Sequence, residues 1–236
     1  MEKAALRKLW TDCFGDAEGW IDTFFATALD PAHVCTLTRQ GKLAAALCWM
    51  DVSCEGRKLA YLYAIATAPE FRRQGLCREL MAQTHEKLTG YAGAILVPAE
   101  AGLRQMYEKM GYVNFGGIRE LSVQAGEAVP MRQVLPSEYA ALRRRYLPKG
   151  GVVQENGAVE YLAAGAQLYA GADFLLAEED GFGLELLGNP NTAPGIVSAL
   201  GLEEGTFRVP GEEPFAMFRS LTGENWMPGY FGLAFE

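Results

Sequence analysis

Histidine is nearly missing from this chain. Two occur in 236 residues, His33 and His85. Cysteine is scarce and poorly spaced for metal binding: the five, at 13, 35, 48, 54 and 77, are odd in number and form no CxxC pair. Structural zinc takes four N or S ligands at characteristic spacings, so no metal site is expected. Reduced, mostly buried thiols are expected instead. Long apolar runs are also lacking. No stretch approaches 18 apolar residues, and the opening MEKAALRKLWTDCFGD has no apolar h-region. The sequence therefore reads as soluble, unexported and cytoplasmic, with no membrane partner. The last deficit is local. Residues 151–236 hold only 2 Lys/Arg against 13 Asp/Glu, a net charge of −11, whereas residues 1–150 hold 19 against 16, a net of +3. The whole chain, at −8, repels phosphate backbones over most of its surface, which argues against nucleic-acid binding.

What remains is ordinary globular material, 50% apolar and 21% charged, enough for one large domain or two small ones. Residues 3–12 space Leu6, Leu9 and Trp10 as a helix would, and Asp16 is placed to cap a second helix carrying Trp20, Ile21, Phe24 and Phe25. The period then changes. Residues 33–38, 42–52 and 58–67 read as a three-strand meander with turns at Gln40-Gly41 and at 54–57. A helix over 74–88, a strand over 92–97 and a helix over 102–110 follow, then strands 112–115 and 118–123 parted by Gly116-Gly117. Residues 124–136, with Gly126, Pro130 and Pro136, read as a linker. Beyond it, helices from Ser137 and over 159–169, a hairpin about Asp180-Gly181, a helix over 194–200 and strands near 206–209 and 214–221 make a second mixed α/β part. In that part, Arg143-Arg144-Arg145 reads as a solvated helix face.

The most informative stretch is LAYLYAIATAPEFRRQGLCREL, residues 59–80. A buried strand meets a proline, two arginines, a glycine and then an amphipathic helix. The first N–H groups of a helix have no partner within it, and the dipole adds positive charge there. Gly75 lets the backbone approach a bulky anion, and Arg72 and Arg73 add full charges. Together they suit a pyrophosphate.

This arrangement resembles the RxxGxG/A acyl-CoA motif of the GNAT N-acetyltransferase superfamily. Tyr107-Glu108-Lys109-Met110-Gly111-Tyr112 resembles that family's Y-E-K-x-G-F/Y signature, in family order and at a family-like separation. The resemblance covers about residues 1–123. Cys77 departs from the usual Gly or Ala, and Glu100 stands where many members have Asn. The run Arg72, Arg73, Gly75, Leu76, Arg78 is closest to the Eis-like branch, whose members acetylate polyamine-like substrates.

The resemblance implies an α/β (α+β) GNAT fold, a mixed and mostly antiparallel central sheet flanked by helices. It implies an acetyl-CoA-binding catalytic domain over 1–125. Residues 126–236 would then be a smaller companion α/β domain, with the look of a degenerate half-GNAT. Ile65, Ala66 and Thr67 would offer backbone to the pantetheine arm, and the amides of Arg72, Arg73, Gln74, Gly75, Leu76 and Cys77 would hold the pyrophosphate. Tyr107 would be the general acid, and acetyl-CoA the cosubstrate. No general base is evident; Asp51, Glu120 and water chains through Tyr61 or Tyr63 are the candidates. In Eis-like enzymes the C-terminal carboxylate enters the site, so the apolar tail ending at Glu236 is expected to dock there. The acceptor would be a small, cationic primary amine, drawn in by the acidic second part around Glu178, Glu179 and Asp180. Oligomeric state is unreadable, and a homodimer fits the resemblance. The alternative is a non-catalytic acyl-CoA sensor or interaction module on the same fold.

Overall fold

Two turns set the first half of the sheet. Gln40 and Gly41 have φ of 52° and 73°, and Glu55 and Gly56 have 49° and 77°. Such paired left-handed residues match the twist of a tight hairpin. They join β1 (Val34–Arg39), β2 (Lys42–Cys54) and β3 (Arg57–Thr67) into an antiparallel meander. The structure is a computed structural model and describes residues 3–235. Before the meander come α1 (Lys3–Phe14) and α2 (Glu18–Thr27); after it come α3 (Leu76–Lys87), β4 (Gly93–Leu96), α4 (Ala101–Glu108) and β5 (Val113–Gln124). The remainder is β6 (Met131–Gln133), α5 (Pro136–Tyr146), α6 (Gly157–Gly165), β7 (Gln167–Gly171), β8 (Phe174–Glu179), β9 (Phe182–Gly188), α7 (Ala193–Ala199), β10 (Glu204–Pro210) and β11 (Glu213–Ser220).

All the strands share one sheet of 11, in the order β1-β2-β3-β4-β11-β5-β10-β9-β8-β7-β6. β3–β4 and β9–β10 are parallel, and the other neighbours are antiparallel. This is the mixed, mostly antiparallel sheet that the sequence led us to expect. β11, near the C-terminal end, lies between β4 and β5 of the first part. The larger buried cluster likewise runs from Leu6 and Phe24 through Tyr61 to Tyr161 and Phe231. A smaller one packs α7 against the β8–β10 end, around Ile196, Val197 and Phe207.

Four local expectations fail, each for a physical reason. Gly116-Gly117 does not interrupt β5. Its glycines leave room for other backbone, since a Cβ on Gly116 would come 2.9 Å from the Phe231 carbonyl and one on Gly117 would collide with that of Gly211. The helix expected to reach 169 stops at Gly165, because Leu168 and Ala170 alternate inward as a strand. Asp16 caps nothing: Ala17 is the N-cap of α2 and makes no side-chain bond, while Asp16 accepts the Trp10 indole N–H at 2.5 Å. Arg143 is not on a solvated face. It is 1% exposed and paired with Glu185, whereas Arg144 and Arg145 are exposed. No helix among the described residues is long and apolar enough to cross a membrane.

Candidate active site

The sheet opens between β3 and β4. β3 pairs with β4 only from Leu59–Gly93 to Tyr61–Ile95, after which β4 ends at Leu96 while β3 runs on to Thr67. Over the same stretch β3 bulges against β2. Ala46 faces Ala66 and Cys48 faces Tyr63, so Ala64 and Ile65 together oppose Leu47. Ala64 has a φ of 51°, in the left-handed region that costs an alanine roughly 1–2 kcal/mol. Strain of this kind persists where surrounding structure imposes it, and it gathers at functional sites. The bulged edge lines a cavity of about 430 Å³.

The loop that follows β3 has the form of an anion site. Pro69–Phe71 makes a single 3-10 turn, and Phe71 anchors it in the core. Arg72, Arg73, Gln74 and Gly75 are exposed. Arg73 and Gly75 have φ of 63° and 80°, which turns the backbone directly into α3, and no side chain caps that helix. A Cβ on Gly75 would meet nothing within 4 Å, so the space beside it is open. Leu76 is buried, so it can offer only backbone to a ligand in solvent, and Cys77 is half-buried. Arg72 is tied back to β3, its Nε donating to the Thr67 carbonyl at 3.2 Å. Ala66 is buried and held by β2, while Ile65 lines the cavity. The loop suits a pyrophosphate, and the free edge of β3 suits an extended amide-bearing arm.

Tyr107 projects from α4 into the same cavity. It is 5% exposed, and burial first, then the nearby Cys77, pushes its phenol well above the usual range. It stays protonated at any ordinary pH, as a proton donor must.

Beside Val97 to Leu103, which lead into Tyr107, the cavity takes residues from three segments distant in sequence. Trp10 and Asp16 come from α1 and the loop after it, Tyr61 and Tyr63 from β3, and Ala234 and Phe235 from the C-terminal segment. Asp16 is the one acidic side chain among the described residues lining it. Tyr63 and Tyr161 face each other with hydroxyls 3.5 Å apart, and Phe235 packs on both rings at 6.0 and 5.5 Å between centroids. Burial, then Tyr161, pushes the Tyr63 phenol far up, so it is no base at neutral pH. The expected docking of the tail extends as described to Phe235; Glu236 lies outside the described residues.

Other candidates fall elsewhere. Asp51 does not line the cavity, and its carboxylate is bound by Lys58 at 2.7 Å and by the Tyr91 hydroxyl at 2.5 Å. Burial opposes its ionisation, but these two bonds hold it below the usual carboxylate range. Glu120 is exposed on β5 opposite Arg208 of β10. Glu178, Glu179 and Asp180 sit at the β8–β9 turn and line a separate small cavity, so the acidic second part does not line the one holding Tyr107. His85 shares a 2.8 Å hydrogen bond with Tyr112, and burial, then Arg219, lowers it to about 4. It borders a cleft of about 970 Å³ with Arg57 and Lys58, which Tyr107 does not line; those cations are matched by Glu224 at 3.5 Å and Asp51 at 2.7 Å. Among the described residues no cluster of His, Cys, Asp or Glu is arranged to hold a metal ion. Asp16 and Tyr161 are the site residues that the sequence did not disclose. Asp16 carries the same signal as a helix cap, and Tyr161 lies 98 residues from its partner Tyr63.

Residues 2–114 match the family model described as acetyltransferase (GNAT) domain. This stretch is a GNAT acetyltransferase domain. Known structures extend the likeness beyond it. A GCN5-related N-acetyltransferase from Kribbella flavida is 18% identical with a TM-score of 0.69, over 92% of this chain and 68% of that one. Eis1 from Mycobacterium abscessus is 13% identical with a TM-score of 0.67, over 93% and 71%. A GCN5-related N-acetyltransferase from Anabaena variabilis is 14% identical with a TM-score of 0.66, over 92% and 70%. At these identities the likeness is one of fold. No curated protein matches. The GNAT fold implies acyl transfer, with Tyr107 and the 72–77 loop inside the matched stretch.

Proposed function

We propose that this chain transfers an acetyl group from acetyl-CoA to a primary amine on a small cationic acceptor, in the cytosol. All five of its cysteines are free, as that compartment would keep them. The observation that carries the proposal is the single cavity on the bulged edge of β3, lined by both Tyr107 and Asp16. The cosubstrate's pyrophosphate lies on the amides of Arg72 to Cys77, and its pantetheine arm lies along Ile65, Ala66 and Thr67. The acceptor nitrogen attacks the thioester carbonyl, the C–S bond breaks, and Tyr107 gives its proton to the leaving thiolate. A backbone N–H at the Ala64 bulge holds the oxyanion. Asp16, with Trp10 and Tyr63 beside it, draws in the ammonium form of the acceptor; carboxylate and aromatic faces both attract a cation. The ammonium loses one proton to water before it attacks; the second, shed by the attacking nitrogen, returns through water to the Tyr107 oxygen. Residues 1–125 form the catalytic part. Residues 126–236 are its companion, contributing β11, Tyr161 and the C-terminal wall of the cavity.

The competing reading is a non-catalytic acyl-CoA sensor. Two measurements separate the possibilities. Acetyl-CoA in large excess should raise the thermal midpoint, and no shift would defeat both readings. Release of free CoA thiol with a panel of primary amines should then be amine-dependent. Binding without release would leave the sensor.

A further inference from the structure

The most deeply buried charges in the molecule lie outside the cavity and serve no step above. Arg143 of α5 is 1% exposed and Glu185 of β9 is 0% exposed. Arg143 donates two parallel bonds to the Glu185 carboxylate, at 2.6 and 2.9 Å. Its remaining arm donates to the Val152 carbonyl at 3.0 Å. The Val152 N–H donates to the Tyr230 carbonyl at 2.9 Å, and the Tyr230 hydroxyl donates back to Glu185 at 3.0 Å. The bonds close a ring through four residues, and Tyr230 is gripped by both its backbone and its side chain.

A buried ion pair is weak support for stability, because desolvation offsets most of the attraction. Its use is more often to fix one arrangement among several. Here the thing fixed is the chain leaving Tyr230. Phe231 packs on Tyr61 at 5.0 Å, the Leu233 carbonyl accepts from the buried Gln154 at 2.9 Å, and Ala234 and Phe235 line the cavity. We propose that the Arg143–Glu185–Tyr230 ring is a latch that holds segment 230–235 as a wall of the cavity's acceptor end. The three are positioning residues. This rests on the functional reading above only for what the wall receives.

The test uses the full chain and a readout independent of turnover. Tyr230→Phe keeps the ring and removes the O–H. Carboxypeptidase Y trimming past Phe235, followed by mass spectrometry, should speed up about tenfold, the effect of losing one bond to a buried charge. The KM for spermidine as probe amine should rise while the KM for acetyl-CoA stays within about twofold, a split that general loosening of the fold would not give. Arg143→Met/Glu185→Leu is the second variant. Apolar replacement of a buried pair usually preserves the fold, and trimming should again accelerate. Unchanged trimming in both folded variants overturns the latch, and faster trimming with an unchanged spermidine KM overturns its role at the acceptor end. A wild type that trims slowly but releases no thiol with any amine defeats the functional reading alone, and the latch is then decided by trimming.

Discussion

The two ends of the proposed site are built in opposite ways. The end proposed for the cosubstrate is one contiguous loop, residues 72–77, outside the cavity's lining, largely exposed and made of backbone. The other end is made of side chains from residues 10–16, 61–65 and 234–235, half of them aromatic and half of them buried. Backbone amides at a helix start recognise any pyrophosphate, so that end needs only the right turn. Side chains recognise one shape of acceptor, so that end must be assembled by the whole fold. The dependence on the second part of the chain follows. The loop's side-chain bonds run to Thr67 and Glu70, close by in the chain, while the acceptor end takes Phe235 directly and Tyr161 through Tyr63.

Tyr107 stands between the two ends, and removing its hydroxyl tests whether they meet in a reaction at all. Tyr107→Phe should lower kcat by about 10²–10³-fold, within the usual contribution of a proton donor. The acetyl-CoA KM should move less than about twofold, since the ring and its packing remain. Equal loss in both constants would make Tyr107 a binding residue and weaken the comparison. The acceptor end should respond in the other constant. Asp16→Asn should raise the KM for a cationic amine by about tenfold and flatten its dependence on salt, with the acetyl-CoA KM unmoved. An unaltered salt dependence would show that Asp16 does not draw in the acceptor.

The same contrast explains what could be read from the sequence. The strand, turn and helix around Arg72-Arg73 and Gly75 were legible because they succeed one another in the chain. The turns at Gln40-Gly41, Glu55-Gly56 and Asp180-Gly181 were legible for the same reason. Asp16 was misplaced because an aspartate before a helix looks the same whether it caps that helix or bonds to Trp10. Arg143 was misplaced because its partner Glu185 lies 42 residues away, and a run of three arginines ordinarily faces water. Gly116-Gly117 read as a break because the sequence does not reveal which backbone will lie against it. What stayed hidden depends on contacts between distant segments, and the acceptor end depends on little else.

A smaller effect sharpens the loop's side of the comparison. Gly75 has open space beside it but a φ of 80°. Gly75→Ala should therefore cost about 1–2 kcal/mol in backbone strain, seen as a lower urea midpoint. The acetyl-CoA KM should rise several-fold as the amides shift. Cys77→Ala, at a position proposed to act through its backbone amide, should leave that KM within about twofold. A large effect from Cys77→Ala would mean that this side chain touches the cosubstrate.

The smallest effect expected is one of pH, and it lies outside both ends. Burial and Arg219 hold His85 neutral in the folded chain, with its pKa lowered to about 4 from an ordinary 6.5. Between those values the unfolded chain binds a proton that the folded chain refuses. Stability should thus be full above about pH 6.5 and decline as pH falls toward 4. His85 keeps partial contact with solvent, so the slope should be well below the ~1.4 kcal/mol per pH unit of a full one-proton difference. His85→Gln should remove that part of the slope in urea titrations at successive pH values. It should leave both KM values unchanged at pH 7.5, because His85 sits in the last turn of α3, while the loop's exposed amides lie at that helix's start. A change in the acetyl-CoA KM would instead show that the His85–Tyr112 pair supports Tyr107 through their ring contact, at 6.0 Å between the Tyr107 and Tyr112 centroids.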